Sequence, residues 1–280
     1  MDIITAANCR LVKKFPNAAE LFQRAHMKIN TLAKPKRDFR TSFGARMRGD
    51  ISDYFFKRLY FFGMWEPELT NYMKQVIRPG TTVVDVGANH GYFSLLLAQL
   101  VGNGRVISIE AAPSVFDNLV ANVSINKADN IECRNIAVSD SKGVVKLYNP
   151  NPRHSGIQSI LPSEGPSIEV PSDRLSSMLA SEMQNISFIK IDIEGAERPA
   201  LLDVLSNKER FGRPLTVVCE LSEPNIDLIR DFSQAGFECY YIENKYSIHD
   251  YMLSASSNQP SNIIPLTGQK PPTADVVFIL

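Results

Sequence analysis

The chain has 280 residues, of which 44% are hydrophobic and 21% charged, and its 30 basic and 30 acidic side chains balance. This composition is typical of a globular protein with a sizeable core, and it excludes a disordered or fibrous chain. Because the net charge is zero, the chain as a whole has no general attraction to nucleic acid, and no nucleic-acid partner is expected.

The sequence also indicates in which cellular compartment the protein is expected. No stretch approaches the roughly 18 consecutive apolar residues of a membrane span, and no apolar run near the N-terminus is typical of a signal peptide. The four cysteines have no paired metal-binding spacing, and Cys133 and Cys219 fall in apolar, strand-like runs as buried thiols would. We therefore expect a cytoplasmic protein. Nothing in the sequence indicates an oligomeric state.

Residues 1–75 are predicted to form an N-terminal extension that is basic, partly helical and then rich in aromatic residues. Within residues 1–60 there are 13 lysines and arginines against five acidic residues. Such an excess is typical of a solvated helix face, and it also suits peripheral contact with a membrane surface or an anionic substrate. The aromatic residues between Tyr54 and Trp65 are expected to pack against the edge of a sheet.

Residues 76–280 are predicted to form one α/β domain, because strand-like and helix-like segments alternate along them. The expected fold is Rossmann-like and doubly wound, with a mostly parallel seven-stranded sheet. The predicted strands are 81–86, 106–109, 131–138, 188–191, 215–219, 237–242 and 276–279. The predicted helices are 92–100, 114–126 with Ser114 as N-cap, 196–205 and 226–235.

One segment interrupts this alternation. Residues 149–167 are rich in Pro, Ser, Gly and Asn and lie between the short strand-like pieces 144–148 and 168–170. A long loop in a compact domain more often serves as a lid or a binding loop than lacks a function. His154, within this loop, is a candidate contact for the substrate.

A glycine-rich turn connects the first predicted strand of the domain to a helix. Gly87 permits a tight turn, and Gly91 lets the helix start close to the sheet. A dinucleotide-binding turn would have a third glycine where this chain has Asn89, and the carboxylate of Asp85 would repel a pyrophosphate. The same carboxylate would attract the ammonium and sulfonium groups of S-adenosylmethionine, which is the predicted cofactor. The residues expected to bind it here are Asp85, Gly87, Ala88, Asn89, Gly91 and Tyr92, while His90 is expected to orient the acceptor.

The next two strand ends complete the predicted cofactor site. Glu110 ends the second strand about 20 residues after the glycines, where an acid accepts hydrogen bonds from ribose hydroxyls. Asn135 and Ala137, at the end of the third strand, are expected beside the adenine. An NAD(P)-dependent oxidoreductase is the alternative enzyme class, and Asp85 and Asn89 both disfavour it.

Three carboxylates follow the strand 188–191. Because ligands of open α/β sheets bind at the carboxyl ends of strands, Asp192 and Glu194 are expected to face the reacting group. They are the candidate catalytic residues, and Asp192 is also expected to contact the cofactor. For Glu197 a structural role in the first turn of a helix is as plausible as a functional one. No metal site is predicted, although Asp192 with Glu220 would suit Mg²⁺ in principle.

These motifs together resemble the FkbM-type methyltransferase family. Its hallmark is similar to residues 189–197, its cofactor motif to 83–91, and two shorter elements to 63–69 and 170–175, the last with an altered Leu-Asp order. The resemblance implies an O-methyltransferase that acts on a hydroxyl of a sugar, glycan or secondary metabolite. Glu66, in the element 63–69, is the remaining candidate substrate contact. The alternative from another class is a cofactor-binding module without turnover, docked to a membrane or complex through its basic N-terminus.

Overall fold

The computed structural model describes residues 3–33, 35–149, 159–162, 164–221, 225, 227–255, 261–266 and 274–280. Its helices are α1 (Ile3–Leu11), α2 (Pro16–Ala33), α3 (Tyr54–Phe62), α4 (Pro67–Val76), α5 (Tyr92–Val101), α6 (Pro113–Asn126), α7 (Leu175–Met178), α8 (Glu197–Ser206), α9 (Asp227–Gln234) and α10 (Ile248–Ala255). Its strands are β1 (Lys36–Arg40), β2 (Arg46–Asp50), β3 (Thr82–Val86), β4 (Arg105–Ile109), β5 (Ile131–Arg134), β6 (Ala137–Val138), β7 (Gly143–Tyr148), β8 (Ser167–Asp173), β9 (Ile186–Ile191), β10 (Thr216–Leu221), β11 (Glu238–Ile242), β12 (Ile264–Pro265) and β13 (Ala274–Ile279).

The described residues form two compact units. The first, called the N-terminal unit, consists of the described residues of Met1–Gln75 together with those of Asn244–Asn262. The second, called the sheet unit, consists of the described residues of 76–243 and of Ile263–Leu280. No helix in the described part of the chain is both long and apolar enough to cross a membrane.

The N-terminal unit contains helices α1 to α3, α10, most of α4 and a two-stranded hairpin of β1 and β2. Asp53 caps α3 by accepting hydrogen bonds from the backbone N–H groups of Phe55 and Phe56. The aromatic rings of α3 pack within this unit, since Phe56 lies edge-on to Phe39 of β1 and Phe62 lies against Tyr251 of α10. The aromatic residues of α3 therefore form part of the core of the N-terminal unit.

The sheet unit is built on an eight-stranded sheet in the order β12-β11-β13-β10-β9-β3-β4-β5. Strands β10, β9, β3, β4 and β5 run parallel, and β13 pairs antiparallel with both β10 and β11. This arrangement confirms the predicted doubly wound, mostly parallel α/β fold, with the short strand β12 added to the seven that were predicted. The direction of winding reverses between β3 and β9, and such a switch point is where ligands of this fold class bind.

The third predicted strand, 131–138, is wrong as a single element. Its first half is β5 of the large sheet, whereas its second half is β6, which joins a separate three-stranded sheet in the order β6-β8-β7. The chain leaves the large sheet at Asn135, whose amide donates hydrogen bonds to the main-chain oxygens of Glu110 and Ala111. Apolar residues at both ends of 131–138 suggested a single strand, and the polar Asn135 in its middle marks the change of sheet.

Two further features concern the elements beside this change of sheet. Helix α6 begins at Pro113 with Ala112 as its N-cap, so Ser114 is not the cap that the sequence predicted. Strands β7 and β8 pair antiparallel, with Tyr148 opposite Ser167. The two ends of the loop 149–167 are therefore held together by a hairpin.

Candidate functional site

The turn from β3 into α5 lies at the switch point and depends on two glycines with positive φ. Gly87 has φ +77°, and a Cβ there would lie 1.8 Å from the main-chain oxygen of Asp192. Gly91 has φ +91°, and a Cβ there would lie 2.7 Å from Leu119. At Gly87 no other residue type fits without moving the backbone, whereas at Gly91 the side chain of Leu119 would have to shift and the positive φ would be strained. The backbone N–H groups of Gly87 and Ala88 both donate to the oxygen of Ile109, which ties the turn to β4.

Asn89 and Glu110 form a clamp between this turn and the end of β4. The backbone N–H of Asn89, which has φ +48°, donates to Oε2 of Glu110 over 2.9 Å. The backbone N–H of Ala112 donates to Oε1 over 2.9 Å. Burial raises the pKa of Glu110 to about 7, although these two hydrogen bonds oppose the shift. The structure thus brings Glu110 and the glycine-rich turn together, as the sequence analysis required for a shared cofactor site.

Asn135 and Ala137 lie near the main chain that follows Glu110. The side-chain amide of Asn135 is engaged with the main chain at Glu110 and Ala111. Ala137 is buried and packs in a small apolar cluster with Ala112, Val115, Leu147 and Val170. Asn135 is therefore adjacent to the end of β4, and its predicted contact with adenine, like that of Ala137, stays a prediction.

Asp85 lies in a buried polar network at the end of β3. Its Oδ2 accepts a hydrogen bond of 2.6 Å from the hydroxyl of Ser94, which in turn accepts one of 2.8 Å from Ser108. Its Oδ1 lies 3.8 Å from Nζ of Lys190, and the same ammonium donates to Oδ2 of Asp192 over 3.0 Å. Asp85 is fully buried and Lys190 nearly so. Because the carboxylate of Asp85 is not exposed, Asp85 would attract a positively charged ligand at a distance, across this polar network, and not by direct contact.

The segment after β9 turns sharply and presents carboxylates. Glu194 has φ +49° and Gly195 has φ +96°, so two successive residues adopt left-handed conformations. The N–H of Gly195 then donates to the carboxylate of Glu197, which is buried at the start of α8. Although Glu194 is partly open to solvent, desolvation of its carboxyl group by the surrounding protein raises its pKa to about 7, and repulsion from Asp192 and Glu197 adds to this effect. Glu194 is thus a carboxylate that takes up a proton near neutral pH.

Glu220, at the end of β10, extends this acidic edge. Burial raises its pKa to about 8, and repulsion from Asp192, Asp275 and Glu194 adds to the shift. Among the described residues, no group of three or more His, Cys, Asp or Glu side chains is arranged to hold a metal ion. The carboxylates of this edge lie around the ammonium of Lys190, which lowers the pKa of both Glu194 and Glu220 against the effect of burial.

The described part of the loop 149–167 reaches the same segment. The hydroxyl of Ser159 donates a short hydrogen bond to the main-chain oxygen of Glu194. The side chain of Leu161 lies so close to Gly195 that a Cβ there would be 2.4 Å from it. His154 lies outside the described residues, so its role as a substrate contact stays a prediction. The loop is nonetheless in contact with the acidic turn through Ser159 and Leu161.

The remaining candidate substrate contacts lie in different units. His90 belongs to the glycine-rich turn of the sheet unit and is buried, with its main-chain oxygen accepting a hydrogen bond from the amide of Asn122. Glu66 belongs to the N-terminal unit and is also buried. Its carboxylate accepts a hydrogen bond from Tyr246, and its N–H donates to the hydroxyl of Tyr251. For both residues, contact with an acceptor stays a prediction.

Lys190 is the residue that sequence reasoning missed. It lies between apolar residues in β9, a strand that has neighbours on both sides in the sheet. A lysine in a buried strand is rare unless it is paired with a carboxylate. That rule, applied to the run 188–191, would have indicated an ion pair with the acids at the neighbouring strand ends.

Comparison with known proteins identifies a family that this sequence matches. Residues 85–242, just over half of the chain, match the methyltransferase FkbM domain family. Methyltransferase sdnD from Sordaria araneosa is 27% identical over 177 residues, which cover 51% of this chain and 67% of that protein. An arsenite methyltransferase from Halobacterium salinarum is 40% identical over 57 residues, which cover 20% of this chain and 15% of that protein.

Solved structures of methyltransferases are more distant. Precorrin-6y C5,15-methyltransferase from Geobacter metallireducens GS-15 is 11% identical, with a TM-score of 0.43 over 76% of this chain and 88% of that chain. Fibrillarin from Aeropyrum pernix, crystallised with natively bound S-adenosyl-L-methionine, is 12% identical, with a TM-score of 0.44 over 88% of this chain and 82% of that chain.

Proposed function

The chain belongs to the FkbM methyltransferase family and uses S-adenosylmethionine, and from this premise we propose that it is an O-methyltransferase. The proposed acceptor is a hydroxyl group of a sugar, glycan or secondary metabolite. In such a reaction the bond between sulfur and the methyl carbon breaks as the bond to the acceptor oxygen forms. The electron pair of the broken bond stays on sulfur, and the hydroxyl proton must pass to a base.

The observation that carries the proposal is the pair of carboxylates with raised pKa at the carboxyl edge of the sheet. The pKa of Glu194 is raised to about 7 and that of Glu220 to about 8. A general base works best when its pKa is near the working pH, because it is then both ionised and able to hold a proton. Glu194 is exposed while Glu220 is half-buried, so Glu194 is the better placed of the two to meet an acceptor.

The residues at the glycine-rich turn fit a nucleoside-containing cofactor. Each oxygen of Glu110 accepts one backbone N–H, and a carboxylate oxygen has room for a second donor such as a ribose hydroxyl. The side-chain oxygen of Asn89 is buried without a hydrogen-bond partner among the described residues. A buried acceptor of this kind is costly unless a ligand or water supplies a donor. Glu110 and Asn89 are therefore the residues proposed to hold the ribose end of the cofactor.

Binding and turnover test this proposal separately. Calorimetry with S-adenosylmethionine, S-adenosylhomocysteine and NAD should give binding of the first two and none of the third. Mass spectrometry after incubation with sugars, glycans, hydroxylated metabolites and amines should then show methyl addition at oxygen in one hydroxyl-bearing class.

Two results contradict the proposed function. Methyl addition only to the amines would exclude an O-methyltransferase. Tight binding of S-adenosylhomocysteine without product across all four acceptor classes would favour a module that binds the cofactor without turnover.

A further inference from the structure

Helices α1 and α2 of the N-terminal unit bury polar side chains beside Cys9, Ala19 and Met27, and they expose most of their larger apolar side chains. The amide of Asn8 donates to Oε1 of Gln23 over 3.0 Å, and the amide of Gln23 donates to the hydroxyl of Thr5 over 2.9 Å. Thr5 and Gln23 are fully buried where α1 and α2 pack together. Amphipathic helices of globular proteins ordinarily show the opposite arrangement, with apolar residues toward the core.

The exposed apolar residues follow helical spacing. On α2 they recur at intervals of one, seven and three residues, which places them on one face. The four residues are Leu21, Phe22, Ile29 and Leu32, with exposed fractions of 69%, 68%, 66% and 77%. On α1 and the turn after it, Ile3, Ile4, Leu11 and Phe15 are exposed to a similar degree. We call these eight residues the apolar face.

The apolar face comprises eight exposed apolar residues on two helices that pack together and on the turn between them. Single exposed apolar residues are normal, whereas a set aligned along two packed helices marks an interaction surface. Both helices also contact α10 within the N-terminal unit, and these contacts leave the eight residues exposed. The face therefore lies on a packed scaffold.

Basic residues accompany the apolar face. Between residues 3 and 33 there are five basic residues, Arg10, Lys13, Lys14, Arg24 and Lys28, against one acid, Glu20, so the net charge is 5 − 1 = +4. Glu20 is paired with Arg24 on the same helix. Helices that lie in a membrane interface combine an apolar face of Leu, Ile and Phe with Lys and Arg beside it. The charge complements an anionic lipid surface.

A second copy of the chain suits this face less well. Pairing two such faces would bring the +4 net charge of α1 and α2 in one copy close to the same charge in the other copy, and like charges oppose association. An anionic bilayer satisfies the apolar and the basic residues together.

We propose that α1 and α2 dock on the surface of anionic membranes, with the apolar face inserted to the depth of the acyl chain boundary. The helices lie in the plane of the interface and do not span the bilayer. The inference is independent of the acceptor of the methyl group, because its residues lie in the N-terminal unit and take no part in the proposed chemistry.

Vesicle flotation with the full chain tests the docking. The protein should float with phosphatidylcholine vesicles that contain phosphatidylserine and much less with phosphatidylcholine alone. Raising the salt from about 0.15 M to about 1 M shortens the screening length from about 8 Å to about 3 Å and should weaken the binding.

Phe22→Ser and Ile29→Ser should each lower the partition coefficient by about 10-fold or more. Lys13→Gln and Lys14→Gln should each lower it by about 5-fold.

Val144→Ser is the matched control, because Val144 is an equally exposed apolar residue on β7 of the sheet unit. It should float as the parent does. Binding of S-adenosylhomocysteine and an unchanged thermal midpoint show that each variant is folded. Equal flotation of the parent and the Phe22→Ser variant would overturn the proposal. So would an absence of flotation together with self-association that Phe22→Ser abolishes, because the face would then join two copies of the chain.

Discussion

Two buried polar networks, one in each unit, differ in charge and in what surrounds them. In the sheet unit, Lys190 lies between the carboxylates of Asp85 and Asp192, and apolar strands surround this ion network. In the N-terminal unit, the buried network is neutral and joins two helices whose larger apolar residues mostly face outward. The ion network lies at the strand ends where ligands bind, whereas the neutral network lies on the far side of its helices from the apolar face.

The contrast separates two reasons for burying polar groups. A buried charge costs free energy unless it is paired. A buried ion network at the strand ends therefore indicates a functional site or a role in specifying the fold. A neutral hydrogen-bonded network costs far less and joins two helices beside the few apolar residues that they bury, Cys9, Ala19 and Met27. In the second case the apolar residues are left free for another surface.

The largest effect is expected for Asp192, which belongs to the ion network, and for Glu194, which lies beside it. Asp192→Asn and Glu194→Gln should each lower turnover by about 10²–10⁴, because an amide cannot accept the proton of the acceptor. Binding of S-adenosylhomocysteine, measured by calorimetry, should change much less. Glu169→Gln, an exposed acid on β8, is the control. If both variants keep near-native turnover while His154→Ala is inactive, the base lies on the loop 149–167 and the assignment is wrong.

Removing the cation from the network should mainly affect stability. Lys190→Met leaves the carboxylates of Asp85 and Asp192 close together without their shared partner, and breaking a buried ion pair costs about 3–5 kcal/mol. Urea unfolding followed by circular dichroism measures this loss. Lys146→Met, at an exposed position on β7, should change stability by less than about 0.5 kcal/mol. A loss from Lys190→Met as small as that of the control would mean that the carboxylates do not depend on Lys190.

Much of the sheet could be predicted, because its strands are buried on both faces and form continuous apolar runs. The hairpin of β1 and β2 could not, since the sequence of β1 is Lys-Arg-Asp-Phe-Arg and has no apolar alternation. The split between β5 and β6 was also hidden, because the hydrogen bonds that end β5 come from the side chain of Asn135 to residues 25 and 24 positions earlier. Such contacts depend on the folded chain.

The site was predictable to the level of strand ends. Asp85, Glu110 and Asp192 each follow or end a strand, and parallel strands bring those ends to one edge. The direction of each side chain was not available from the pattern. For this reason Asp85, expected to attract the cofactor, proved to be buried against Ser94 and Lys190. The outward apolar face was also missed, because an apolar stripe on a helix is ordinarily taken to face the core.

Glu110→Ala should weaken binding of S-adenosylhomocysteine by about 1–3 kcal/mol, because the proposed ribose contact would lose a charged acceptor. The structure adds a second consequence, since the N–H groups of Asn89 and Ala112 would lose their acceptor as well. Calorimetry measures the binding, and thermal unfolding measures any loosening of the turn. Glu169→Ala provides the control. An unaltered dissociation constant for Glu110→Ala would show that the ribose binds elsewhere.

The pH dependence of the reaction should follow Glu194. Its pKa is raised to about 7, so the carboxylate is protonated below that pH and ionised above it. If Glu194 is the base, kcat/KM should rise about 10-fold per pH unit below pH 7 and then level off. In Glu194→Gln this rise should be absent. A profile that keeps the same rise in the variant would assign the titration to another group, with Glu220 as the next candidate.

The smallest effect is expected in the neutral network. Replacing Thr5, Asn8 and Gln23 together by Val, Leu and Leu should change the free energy of unfolding by about 1 kcal/mol or less, because the three hydrogen-bonded side chains become apolar at once. Gln23→Leu alone should cost more, about 1–3 kcal/mol, since the buried amide of Asn8 then lacks its acceptor. Urea unfolding of the two variants beside the parent gives both values. A triple variant that loses as much stability as Lys190→Met would show that the neutral network is as indispensable as the charged one. The contrast between the two units would then fail, whereas a small loss would mean that α1 and α2 tolerate an apolar interior while keeping their apolar face exposed.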